Sequence, residues 1–212
     1  MLGVGPRTFT ITGGTDSRVI GFTPVLGDAT GGVTGLTLAE GGDTRLFRLY
    51  GVNTYTGLTL ITRGILDVNQ VANSIAGGFT SAATTGNIVF AATGTNRAIL
   101  SLGLVSGDFT RSLGYGAGQV HWEGNGGFSN NLSASNVAVA ATQNVNLGGA
   151  ASQLTWGAGG FVPTGYLLQF GHAGSTGNTV SVQGAINFQN AIQLGTSSRT
   201  LDVASVDVAP SI

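Results

Sequence analysis

The sequence predicts an all-β fold, and within that class a β-solenoid of roughly ten coils, on three observations. No segment carries apolar residues at helical spacing over about ten positions, which leaves no candidate helix. Short β-rich runs recur at intervals of roughly ten residues with glycine between them. The tight turns that close β-hairpins are nearly absent: Asn125-Gly126 is the one Asn-Gly, and there is no Asp-Gly. Parallel strands joined through corners have no use for such turns. At about 20 residues per coil the chain supplies roughly ten rungs, more than the three or so a solenoid needs to be stable. Residues 1–212 are therefore expected to form a single solenoid segment.

Composition narrows what such a segment does. Charged residues are only 8% of the chain against 42% apolar ones, so Thr, Ser, Asn, Gln and Gly must cover the surface. A net charge of −1 offers no cationic field for phosphate backbones or anionic lipid, so neither nucleic acid nor a membrane surface is an expected partner. All 8 basic residues are arginine, which excludes a P-loop and any lysine Schiff base or lysine general base. With no cysteine, disulfides, thiolate metal sites and thiol nucleophiles are excluded as well. The 37 glycines come with only 4 prolines and with β-branched or leucine-rich runs, a pattern of order rather than disorder. Residues 1–7 show no basic region leading into an apolar stretch, and no run is long enough for a membrane helix. If the protein is exported, the address is expected outside this chain, which reads as a piece of a longer protein.

Taken in order, the runs are 8–12, 18–22, 33–39 and 45–50, with Gly13-Gly14, Gly31-Gly32 and Gly41-Gly42 between them, where positive φ is needed at a corner. Residues 58–62 and 65–68 follow, joined at Gly64. Runs 87–92 and 98–103 come after a small-residue bridge, 75–86, that reads as a loop. Residues 109–123 give two strands around a three-glycine corner at Tyr115. The Asn- and Ala-rich stretch 129–149 carries no charge and alternates at Val137/Val139 and Val145/Leu147; its small amides suit hydrogen-bonded ladders from coil to coil. The remaining runs are 154–156, 166–171, 179–183, 185–188, 191–194 and 200–204.

One stretch carries a type. The string GVNTYTGLTLITRGILDV, residues 51–68, resembles the autotransporter-associated β-strand repeat found in the exported passenger regions of large bacterial surface proteins. The resemblance is specific over 44–68 and looser over 109–204, where LTWGAGGFVPTGYLLQFG and INFQNAIQLGTSSRTLDV are similar to inter-repeat stretches of long members. It implies a right-handed parallel β-helix on the outside of a bacterium. Within 65–68, Leu66 and Val68 are expected inside because Asp67 cannot be, with Gly64 as the corner. Two parities compete in the preceding strand, and the family pattern implies Thr59 and Ile61 inside, leaving Leu58 and Leu60 exposed or against a neighbour.

The ionisable residues suggest no chemistry. The acids are scattered, and Asp16/Arg18, Asp43/Arg45 and Asp108/Arg111 read as surface ion pairs at corners, worth under about 1 kcal/mol each. Asp202 and Asp207 could line up on adjacent rungs without being required to. His121 and Glu123 share one face of a strand while Trp122 takes the other, and the natural picture is a core indole between two solvated neighbours. His172 is the only other imidazole, so no metal site is expected, and no cofactor. The polar aromatics Tyr55, Tyr115, Trp156 and Tyr166 could stack on sugar rings. The candidate contact residues for a ligand or partner are Tyr55, Leu58, Leu60 and Tyr166.

The expected role is therefore structural and non-enzymatic: a stalk, scaffold or self-associating matrix element at the bacterial surface, with neighbouring surface proteins, glycans or further copies as partners. An adhesin or carbohydrate-binding module is the alternative. A polysaccharide-degrading β-helix enzyme is the remaining one, and it would need several acids gathered in one groove.

Overall fold

The computed structural model describes residues 7–13, 19–68, 75–80, 86–103, 107–132, 142–149, 151–172 and 182–204. All regular structure among them is β, and most strand pairs are parallel. Two parallel stacks share one interior. The first is built from β1 (Arg7–Gly13), β3 (Thr34–Glu40), the start of β5 (Thr59–Asp67), β6 (Ile88–Phe90) and β8 (Val120–Trp122). The second runs through β2 (Val19–Phe22), β4 (Leu46–Leu49), the end of β5, β7 (Ala98–Ser101), β9 (Gly126–Ser129), β13 (Leu168–Phe170) and β17 (Leu201–Val203). Seven strands at about 4.8 Å per step give this second ladder a length of roughly 29 Å.

Strand β5 belongs to both stacks, so what the sequence presents as two runs is one bent strand. The bend has two causes. The register slips between Leu38 and Ala39 of β3, a bulge that leaves Thr62 without a partner there. Gly64 then takes φ +100°, a conformation that a side chain resists, and the Glu40 side chain fills the space a Cβ would need. Before the bend burial alternates, with Thr59 and Ile61 inside; after it every residue is buried.

Apart from these stacks, β11 (Thr142–Val145) pairs in parallel with β15 (Ala185–Phe188), and β12 (Leu154–Thr155) with β16 (Ile192–Gln193). One short pair, β10 (Asn131–Leu132) with β14 (Val182–Gln183), is antiparallel. The step between stacked partners varies widely. It is 19 residues where Arg48 meets Asp67, and 42 where Leu167 meets Asn125. The coil of about twenty residues expected from the sequence thus describes the shortest steps, and the longest stack among the described residues holds seven strands.

The interior is made of side-chain columns that follow the registers. Leu38, Ile61, Phe90 and Trp122 form one, and Phe47, Leu66, Leu100, Phe128 and Phe170 another. They meet in an aromatic cluster: Phe90 lies 4.9 Å from Trp122 and 5.4 Å from Phe128, and Trp122 lies 5.3 Å from Phe161. The Trp122 indole N–H is satisfied by the Gly126 carbonyl at 2.9 Å. Within the bridge at 75–86, residues 75–80 form a turn that contributes Ile75 and Phe79 to this core.

The opposite face of the second stack is also buried: Leu46, Ile65 and Ile99 form a separate apolar cluster with Val19. This overturns the expectation for Asp67, which is fully buried on that same face and bonded to Arg48 at 2.5 Å. Leu66 and Val68 do point inward, but the reason is alternation and not an exposed carboxylate.

Polar residues of the 51–57 turn hold successive rungs together. Asn53 accepts from the Leu26 amide at 2.7 Å, and the Gly57 amide donates to the Thr34 carbonyl at 2.8 Å. Glycine is required at this corner on two successive rungs. A Cβ on Gly57 would overlap the Thr34 carbonyl, and one on Gly86 would overlap the Gly57 carbonyl. Asn125 and Asn190 repeat the device: Asn125 accepts from the Leu167 amide at 2.9 Å, and Asn190 accepts from Leu147 and donates to the Leu147, Gly149 and Ser152 carbonyls. The amide ladder expected around 129–149 is present where that stretch is described, with Asn187 donating to Asn144 at 2.8 Å and Asn144 to Asp108 at 3.0 Å. Val137 and Val139 lie outside the described residues.

Asp28 closes the same corner from the surface, accepting from the amides of Thr34 and Thr56 and from the Thr56 hydroxyl. Its slight burial raises its pKa, but these three donors outweigh that and hold it below its ordinary 3.8. A depressed carboxylate contributes stability that is present above the unfolded pKa and lost as pH falls through the folded one. Asp28→Asn is therefore expected to be destabilising near neutral pH, and the difference from wild type should vanish at about pH 2 in urea unfolding at both values.

Candidate functional site

The structure separates the four candidate contact residues. Tyr55 is fully buried, with its hydroxyl on Thr59 at 2.7 Å, and burial pushes that hydroxyl above its ordinary pKa range. No face of its ring is open to a ligand, so Tyr55 is corrected from contact residue to core. Leu58 is exposed, and Leu60 is half-buried between Thr37 and Val89 on the outer face of the first stack. Tyr166 is half-buried and packs against the core.

Of the other polar aromatics, Trp156 is buried, with the Arg199 guanidinium 5.9 Å from its ring. Tyr115 is different. It is 69% exposed, at the tip of the glycine corner between residues 114 and 118. The tip is tied down by its own backbone: the Gly114 amide donates to the Val120 carbonyl at 3.0 Å, and the Gly116 amide to Gln119 Oε1 at 2.7 Å. Gln119 in turn donates to the Ser112 hydroxyl at 3.4 Å.

The Tyr115 ring leans on His121, with the ring centroids 4.5 Å apart and the ring planes tilted by 46°. His121 is buried, not solvated as its sequence context suggests. One ring nitrogen lies 3.1 Å from Asn87 Nδ2 and the other 3.2 Å from Glu123 Oε1, so the imidazole is clamped from both sides. Gly160 packs against its Cβ side, where any side chain would crowd it. The Glu123 side chain is 59% exposed. The alternation around Trp122 holds as expected, with the indole inside and His121 and Glu123 on the outer face.

The ion pairs are not those suggested by nearness in sequence. Asp43 pairs with Arg63 at 3.0 Å rather than with Arg45, and Arg97 pairs with Asp202. Asp108 accepts from Asn144 and Asn146, while Arg111 is buried among carbonyls. Each of these contacts joins residues far apart along the chain, because in a stacked structure the nearest neighbour is a rung away. Asp16, Arg18 and Asp207 lie outside the described residues. Among the described residues no group of three His, Asp or Glu side chains lies close enough to hold a metal ion. No helix among them is long and apolar enough to cross a membrane.

The sequence names Tyr115 with Tyr55, Trp156 and Tyr166 as a ring that could stack on sugars, but the aromatic contact candidates taken from it were Tyr55 and Tyr166. The signal was its setting: glycines at 114, 116 and 118 leave a ring at that tip nothing local to bury against. No family model, no curated protein and no solved structure matches the chain.

Proposed function

We propose that the chain is a structural segment of a bacterial extracellular protein: consecutive rungs of a right-handed parallel β-helix that serve as stalk, scaffold or matrix element at the cell surface, without enzymatic activity. The observation that carries this reading is the second stack, seven parallel strands whose side chains form continuous columns and whose corners are tied rung to rung by Asn53, Asn125 and Asn190. Such a ladder is stabilised by nearest-neighbour contacts along one axis, so length adds rungs without a larger core. A surface of amides and hydroxyls with few charges keeps it hydrated. Leu201 and Val203 of β17 are exposed in line with Leu168 and Phe170, so a further rung or a second copy stacked there would bury them.

Antibodies raised against the chain should label intact, unpermeabilised cells of its source organism, and protease shaving of those cells should remove the label. Labelling only after permeabilisation would refute the surface role.

A further inference from the structure

We infer that Tyr115, His121 and Glu123 form a binding platform for a carbohydrate ring that carries no acid group. The surface-stalk reading neither requires this site nor depends on it.

Tyr115 is exposed although the fold supports it. An exposed tyrosine on a free loop samples many positions and binds weakly, because fixing it costs side-chain entropy. Here the cost is already met by the folded chain, through the two amide bonds at Gly114 and Gly116 and the His121 ring beneath. His121 is itself fixed by Asn87 and Glu123. What remains is an exposed aromatic ring, and the histidine it leans on also holds the exposed Glu123 carboxylate.

That combination selects a ligand class. A sugar ring presents an apolar C–H face that packs on an aromatic ring, and edge hydroxyls that donate to a carboxylate. Among the described residues no arginine takes part in this cluster, and the chain has no lysine, so an acidic sugar would meet Glu123 with nothing there to neutralise its own charge. One ring on one aromatic gives modest affinity, on the order of 1 mM. Tight binding would then come from many copies engaging one polymer.

The test is a titration of the intact chain, followed by nuclear magnetic resonance of the tyrosine rings, with a neutral trisaccharide, a trisaccharide of uronic acids, and tetramethylammonium as a cationic probe. The neutral sugar is expected to shift one tyrosine ring at concentrations up to about 20 mM, the range in which a millimolar site fills. Tyr115→Ala should abolish the shift, Tyr115→Phe should keep it, and Glu123→Gln should weaken binding several-fold. Because Tyr115 is exposed, its alanine variant should unfold with wild-type stability, which separates lost binding from lost fold. Absence of a shift, a shift that survives Tyr115→Ala, equal binding of the acidic sugar, or a response to the cation alone would each overturn the assignment. None of these outcomes bears on where cells display the chain.

Discussion

Asp67→Ala should destabilise the protein by about 3–5 kcal/mol, a large share of the 5–15 kcal/mol that holds a typical domain folded. Asp67 is fully buried and Arg48 nearly so, and they bond at 2.5 Å across one rung step. Burial by itself lowers the Arg48 pKa, but Asp67 and Tyr50 beside it raise it above its ordinary value, so the guanidinium is charged. Removing the carboxylate leaves that cation buried beside Leu46 and Ile65, with Tyr50 as its neighbour and no counter-charge from Asp67. The cost lies in the stranded charge and not in a strong net attraction. Replacing both partners, as Arg48→Met with Asp67→Leu, is therefore expected to come within about 1 kcal/mol of wild type. Urea unfolding followed by circular dichroism would read both variants; a single mutant as stable as the double would show that the pair is not what is buried at cost.

Arg111→Met is the second large expected loss, about 2–4 kcal/mol. Arg111 is fully buried and pairs with no carboxylate among the described residues. Its donors go to backbone carbonyls: Nε to Gly78 at 3.0 Å, Nη1 to Gly86 at 3.4 Å, and Nη2 to Gly78 at 2.9 Å and to Ala76. Burial pulls its pKa down to about 10, with the Tyr55 hydroxyl acting in the opposite direction, and it stays charged at neutral pH. The side chain pins the 75–80 turn and the Gly86 corner to the rung that carries Phe109. Methionine fills much of the same volume but leaves the buried Ala76 and Gly78 carbonyls and the half-buried Gly86 carbonyl without this donor. Lysine keeps the charge yet cannot spread its donors over the positions that the guanidinium fork reaches. Arg111→Lys should therefore lose most of the same stability and expose residues 75–80 to limited proteolysis. Wild-type stability and protection in Arg111→Lys would show that charge alone suffices.

These two arginines mark where reading from sequence fails. Arg111 looked like the partner of Asp108, and Asp67 like the solvent face of a strand, because in sequence only near neighbours are visible. In the fold Arg48 meets Asp67 across 19 residues and Arg97 meets Asp202 across 105. The step between rungs varies because the loops differ in length, so no fixed period tells which residues will meet. Tyr55 and Tyr115 fail in the same way: both are tyrosines near glycine corners, and only the packing of the next rung decides which is covered.

By itself the sequence determined the all-β class and many of the strand positions, although of the two strands expected within 109–123 only β8 forms. Alternation and glycine corners act over a few residues, so runs such as 45–50, 98–103 and 185–188 coincide with β4, β7 and β15 nearly residue for residue, and Thr59 and Ile61 face inward. Tertiary structure alone decided the bend that makes β5 a single strand in two stacks, the buried second face around Ile65, the choice of ion-pair partners, and the exposure of Tyr115 beside His121. All of these depend on which rung lies against which, set by contacts between residues tens of positions apart that no local pattern encodes.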